Sequence, residues 1–200
     1  TYSVDLGGNV TFGDDVPSIT ATTPVAESGV TLTTADANTE GLNSATATAS
    51  FASAFASAAA TDVDYGADGP GTITVGSYAL SLASGLSNGV NSTLTSSGND
   101  VLLRENSGDI QGYYDDGTDT VVFSLSVDAT TGLVTLTQNE ALDHGNAGTG
   151  TGTDLSLVLG NGLVSLSGDA TIEDSEGDTA TDTYSVDLGG NVTFGDDVPS

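Results

Sequence analysis

The sequence predicts an all-β fold, an antiparallel β-sandwich with room for one short helical turn. Three observations carry this. Apolar residues alternate with polar ones over short runs, the mark of strands with one buried face. Turns rich in Gly, Asn and Asp bound those runs at short spacing, as in sandwiches. No long helical pattern interrupts them. The 27 glycines, with abundant Thr and Ser, suit many short strands and tight turns.

Taken in order, the chain opens with TYSVDLGGNVTFGDDVPS at 1–18, and the same letters recur at 183–200, an offset of 182. Self-similarity at a fixed period decides architecture. This period far exceeds the 20–50 residues of solenoid repeats, so each period is a whole domain and the parent a string of domains. Residues 1–13 are read as the end of a preceding repeat, 14–197 as one module and 198–200 as the start of the next. Within the repeated stretch, Tyr184, Val186 and Leu188 alternate with Ser185 and Asp187. Gly189-Gly190 interrupts the pattern, which predicts a bulge or bend. Val192 and Phe194 resume it until Asp196-Asp197-Val198-Pro199, where Pro199 cannot donate to a ladder. The joint reads as a hinge or as a metal clamp, and so do Asp14, Asp15, Val16 and Pro17.

Beyond the joint, Ile19, Val25, Val30 and Leu32 predict one or two strands. Residues 46–51 alternate weakly and lead into SFASAFASAAA, where Phe51 and Phe55 stand four apart; a strand entering a helical turn is expected. Thr61–Gly71 is a loop by composition. Ile73, Val75, Tyr78, Leu80 and Leu82 give the next strands, and Asn88-Gly89 a turn. Val101 and Leu103 precede an acidic turn in GYYDDGTD. Val121, Phe123, Leu125 and Val127 are answered by Val134 and Leu136 across DATTG, a hairpin with Gly132 as its left-handed residue. Leu155, Leu157 and Leu159 run into Asn161-Gly162 and return as Val164 and Leu166, which predicts a second hairpin.

Charge excludes several function classes. The chain holds 28 acids against one Arg, no Lys and one His, and residues 183–200 carry three of those acids. One period therefore has 25 acids against one base, a formal charge of −24. Binding nucleic acid by phosphate neutralisation is excluded, and so is attraction to an anionic membrane. Self-repulsion on this scale opposes compaction unless cations screen or bind. There is no Cys, hence no disulfide framework or thiolate metal site. No apolar run approaches a membrane span.

Four acidic clusters fall in turns: Asp62, Asp64 and Asp68; Asp115, Asp116 and Asp119; Glu173, Asp174, Glu176 and Asp178; and the Asp-Asp-Val-Pro joint. Calcium takes six to eight oxygens in irregular geometry, and such turns supply them, although the spacing matches no EF-hand. Asp is also a common turn former, so each cluster has a plain reading as a polar turn. DATTG reads as a hairpin connection. A single His cannot build a transition-metal site, so His144 is read as structural or surface. Arg104 is read as a local ion pair with Glu105. No serine sits in a nucleophile elbow.

DLGGNVTFGDDVPS, YGADGPG at 65–71, VVFSLSVDATTGLVTLTQ at 121–138 and EDSEGDTAT at 173–181 together resemble the long tandem repeats of giant RTX-type bacterial adhesins. The resemblance covers nearly the whole period. It implies immunoglobulin-like sandwich modules, exported by type I secretion to the bacterial cell surface in the setting of biofilms, that bind Ca2+ within domains and at joints. Calcium would stiffen the array and hold a distal binding tip away from the cell. Carried over, the implied metal ligands are Asp14, Asp15, Asp62, Asp64, Asp68, Asp174, Glu176, Asp178, Asp196 and Asp197. The expected function is a non-enzymatic extender whose partners are neighbouring identical repeats, monomeric as an isolated module. The alternatives are a calcium-dependent module recognising a glycan or protein, and a hydrolase using paired carboxylates.

Overall fold

The computed structural model describes all residues except 6, 9, 11, 12, 37, 38, 40–43, 145–155 and 197–200. Its elements are β1 Ser18–Ile19, β2 Leu32–Ala35, β3 Ala45–Ser50, α1 Ala52–Ala59, β4 Val63–Asp64, β5 Pro70–Leu82, β6 Val90–Ser96, β7 Asn99–Asn106, β8 Asp109–Asp115, β9 Asp119–Val127, β10 Leu133–Gln138, β11 Ser156–Val158, β12 Val164–Asp174, β13 Thr179–Asp187 and β14 Val192–Gly195. They form a sandwich-like all-β fold with one short helix. One sheet runs β3-β10-β9-β8-β7-β6; against it lie β13-β12-β5 and β11-β14-β2, with a small β1-β4 pair at the side. Among the described residues, all pairs are antiparallel except β14 with β2.

Period-2 burial builds the layers. Along β12, Val164, Leu166, Gly168, Ala170, Ile172 and Asp174 all point inward, while the residues between them are more exposed. The sheets meet through aromatic rings: Phe123 of β9 lies 5.1 Å from Phe194 of β14, and Phe55 of α1 meets Tyr78 of β5 edge-on at 5.3 Å. Such pairs add about 0.5–1.5 kcal/mol beyond area burial. Phe51 and Phe55 are fully buried, so the Ala/Ser run forms a helix whose one apolar stripe seats on the sandwich.

The DATTG hairpin forms as read: Val134 faces Val127, Asp128 Oδ1 accepts the amides of Thr130 and Thr131, and Gly132 has φ +65°. The second hairpin does not form. β11 pairs with β14, and β12 pairs with β13 and β5, so Asn161-Gly162 arches between sheets. Gly162 donates to Asp187 Oδ2 at 2.6 Å, and Leu159 donates to the Val192 carbonyl at 3.0 Å. A two-residue turn permits a hairpin; here the neighbouring strands offer longer ladders. Leu155 lies outside the described residues.

Arg104 also departs from expectation. Its guanidinium pairs with Asp119, donates to Gln111 Oε1 at 3.0 Å and stacks 4.2 Å over the Tyr113 ring. Cross-strand register places Gln111 directly opposite, while Glu105 points away and accepts the Leu82 amide.

Candidate metal centre

Strand pairing gathers three acidic segments that lie far apart in sequence. β1 pairs with β4, Ser18 opposite Asp64, which sets the incoming segment beside the loop after β4. β5 pairs with β12, Asp174 opposite Pro70, which sets that loop beside the β12–β13 turn. Gly71 permits this approach: a Cβ there would lie 2.1 Å from the Glu173 carbonyl oxygen. Ser175 Oγ ties the two loops by donating to the Asp68 carbonyl. Asp15 Oδ2 accepts the Ala67 amide at 2.5 Å, and Gly66, at φ +68°, leaves the space that carboxylate occupies.

At the centre, carboxylate oxygens of Asp14, Asp68 and Glu176 all lie within 4.8 Å of one another. Asp174 closes the floor. It ends the inward-facing row of β12 and is only 3% exposed. Its Oδ1 accepts the amides of Glu176, Gly177 and Asp178 at 2.8–2.9 Å, while Oδ2 is buried without a partner. Asp68 Oδ2 is likewise buried and unpartnered. Buried polar atoms are nearly always paired, so two orphan carboxylate oxygens in one place call for a cation.

Electrostatics agree. Burial first, then the charges of Asp14, Asp174, Asp15 and Asp178, push the Asp68 carboxyl above its usual range. Asp68 and Asp14 are the main causes of a rise at Glu176, with burial, Asp174 and Asp178 adding to it. No Lys, Arg or His is among the groups that shift either carboxyl. The donor set is all hard oxygen, which fits calcium or magnesium rather than a softer metal. Oxygens bound to one calcium at 2.3–2.6 Å lie at most about 5 Å apart, so the observed spread fits one ion.

The carboxylates of Asp14, Asp68 and Glu176 therefore converge, with Asp174 and Asp178 near enough to shift them and Asp15 bracing their loop. The other implied ligands stand elsewhere. Asp62 is engaged by five donors, the amides and hydroxyls of Thr22 and Thr23 and the hydroxyl of Tyr184, at 2.7–2.9 Å. The bonds from Thr22 and Thr23, led by the Thr23 amide, hold its carboxyl far below the usual range against the opposing effect of burial. It is a clasp between the incoming segment and β13. Asp64 Oδ1 accepts the Gly66 amide at 3.0 Å and shapes the loop. Asp115 Oδ1 and Asp116 Oδ1 cap their own turn through Gly117 and Thr118. Asp197 lies outside the described residues.

Asp196 belongs to a second constellation, with Asp36 and His144, that single-residue reading misses. Parallel register aligns Gly195 with Ala35, so the next residues, Asp196 and Asp36, come side by side. His144 Nδ1 lies 3.3 Å from Asp36 Oδ2, 3.8 Å from Asp196 Oδ1 and 3.2 Å from the Leu142 carbonyl; Nε2 lies 3.2 Å from the Phe194 carbonyl. Asp36 also accepts Gln138 Nε2 at 2.5 Å and the Leu142 amide at 3.2 Å. Burial nonetheless raises its carboxyl pKa. The available signal is parity: Asp36, Gln138 and Asp196 each continue the inward-facing row of a strand.

Fold and site together define a β-sandwich module with an oxygen-only acidic centre where the chain enters it. The family described as "Domain of unknown function (DUF5801)" matches residues 27–189, and the chain belongs to it. No curated protein and no solved structure matches the chain.

Proposed function

We propose that the chain is one period of a non-enzymatic, calcium-stabilised extender array on a bacterial cell surface, projecting a distal binding region. The observation that carries this reading is the convergence of three separated acidic segments around two buried, unpartnered carboxylate oxygens. One of those segments, Asp14-Asp15, is the joint that recurs as Asp196-Asp197. An ion held there ties a module to the linker before it. The exact repeat supports a spacer over a recognition tip, since a spacer gains reach by repetition. The one imidazole of the chain is buried among backbone and carboxylate oxygens, which supports a structural rather than catalytic role for it.

The test is thermal unfolding in chelator and in millimolar calcium or magnesium. An ion that binds only the folded state adds RT ln(1 + [L]/Kd), about 4 kcal/mol at a thousandfold excess. For a module of this size that is about 8–16 °C in Tm. Calcium is expected to give a rise of this order and magnesium much less. Equal Tm in chelator and calcium would refute the reading.

A further inference from the structure

We propose that the interface between successive modules is built around one carboxylate, Asp196, and that His144 is the residue that aims it. The partner is a second copy of this chain. The inference rests on the calcium reading of the joint above.

The repeat makes Asp196 the equivalent of Asp14 in the following period. Asp14 lies in the acidic centre with Asp68 and Glu176. In an array, the residue that stands at 196 therefore has two sets of neighbours. From the leading module come Asp36 and His144; from the following module come its Asp68, Asp174 and Glu176. The two constellations, separate groups within one period, become one junction with a shared carboxylate.

Leading-module geometry decides where that carboxylate points. β14 continues in parallel register with β2, which would leave Asp36 and Asp196 facing each other as like charges. The His144 ring sits between them, its side chain only 3% exposed. Nδ1 addresses both carboxylates, and Nε2 addresses the Phe194 carbonyl two residues earlier. One ring thus contacts the departing chain at two points, and Asp36, held by Gln138 and the Leu142 amide, braces the ring from behind. Asp196 is thereby held in place as the last described residue of the departing chain, with a ligand of the next module's ion already positioned. By contrast, residues 1–5 before the first copy of the joint are exposed along their length.

Preorganising one ligand side chain is worth roughly a two- to tenfold gain in affinity. In a chain of two consecutive periods, the interior calcium site is therefore expected to bind that much more tightly than the first. Without native Cys, Ser81→Cys in both periods gives two unique spin-label sites on the exposed side of β5. The experiment measures the label-to-label distance distribution in calcium and in chelator, with calcium calorimetry and Tm alongside. The parent is expected to show one narrow distance in calcium. His144→Ala is expected to broaden it and to equalise the two affinities, with calcium stoichiometry unchanged. Asp36→Asn, which keeps the shape and removes the charge facing Nδ1, is expected to broaden it less, and it carries the test if His144→Ala fails to fold. A folded His144→Ala chain as narrow as the parent overturns the proposal, as does an equally narrow Asp36→Asn chain where the alanine variant unfolds. A parent distribution identical in calcium and chelator sinks the calcium reading instead; the His144 comparison, made in one buffer, still judges the anchor.

Discussion

The same 18 residues occur twice in this chain and meet two different fates. In the second copy Tyr184, Val186 and Val192 are 2%, 7% and 0% exposed, lying in β13 and β14. In the first copy Tyr2, Val4 and Val10 are 105%, 78% and 56% exposed. Local propensity is identical by construction of the sequence, so it cannot be what makes the strand. The difference is the surface offered: β12 ladders with β13 over nine residue pairs, and β11 and β2 flank β14. Alternation states that a segment can be a strand; a partner edge decides that it is one.

The largest expected effect breaks that comparison at its aromatic residue. Tyr184→Ala removes a buried ring and the hydroxyl that donates to Asp62 at 2.9 Å, and is expected to cost about 3–5 kcal/mol, in the range of large-to-small core changes. Tyr2→Ala, the same substitution in the same local sequence, is expected to stay within about 0.5 kcal/mol. Urea unfolding of both variants checks this; similar midpoints would mean the first copy is packed after all.

The joint sharpens the comparison. In the 200-residue chain, Asp14→Asn removes a carboxylate from the acidic centre, and on the proposed reading calorimetry is expected to show calcium affinity falling by tenfold or more, about 1.4 kcal/mol. Asp196→Asn is expected to leave that affinity unchanged, because Asp196 here faces His144 and Asp36. Equal losses from both would place the two copies in equivalent surroundings.

A smaller effect lies in pH. Asp68 and Glu176 have folded-state carboxyl pKa values above the ordinary range. Their contribution is most favourable below the unfolded values, about 4, and is lost as pH rises through the raised ones. Asp62 works in the opposite sense: its stabilisation is complete above the unfolded value and is lost only in strong acid. In chelator, Tm is therefore expected to rise on acidification across the range just above the ordinary carboxyl values. In calcium the slope is expected to invert, because protons compete for the ligands. A chelator profile that falls throughout this range would contradict the clustering of these carboxyls.

Much of the sandwich was legible in sequence, since alternation with Gly turns marks one-sided strands. The β9–β10 hairpin and the Phe51–Phe55 spacing read correctly for that reason. Pairing across distance was not legible: nothing in LSLVLGNGLVSL tells β11 to choose β14 over β12. The same limit applied to the site. Asp174 could be found by parity, as the polar end of an apolar row. The proximity of Asp14 to Glu176 could not, because it depends on the β1–β4 and β5–β12 registers. Asp62 looked like its neighbours in the acidic loop, and only its donors, Thr22, Thr23 and Tyr184, distinguish a clasp from a ligand.

Arg104 carries one more consequence. It is the single Lys or Arg of the chain, and so the single peptide bond a trypsin-like protease would select. β7, which contains it, is hydrogen-bonded to β6 on one side and β8 on the other. A protease needs an extended, unpaired segment in its cleft, so cleavage at Arg104 requires β7, the strand next to the edge of the six-stranded sheet, to leave both neighbours first. The absence of lysine also removes every side-chain amine from the surface. Each period thus pairs a heavy negative charge with near-invisibility to basic-specific proteases and amine-directed chemistry.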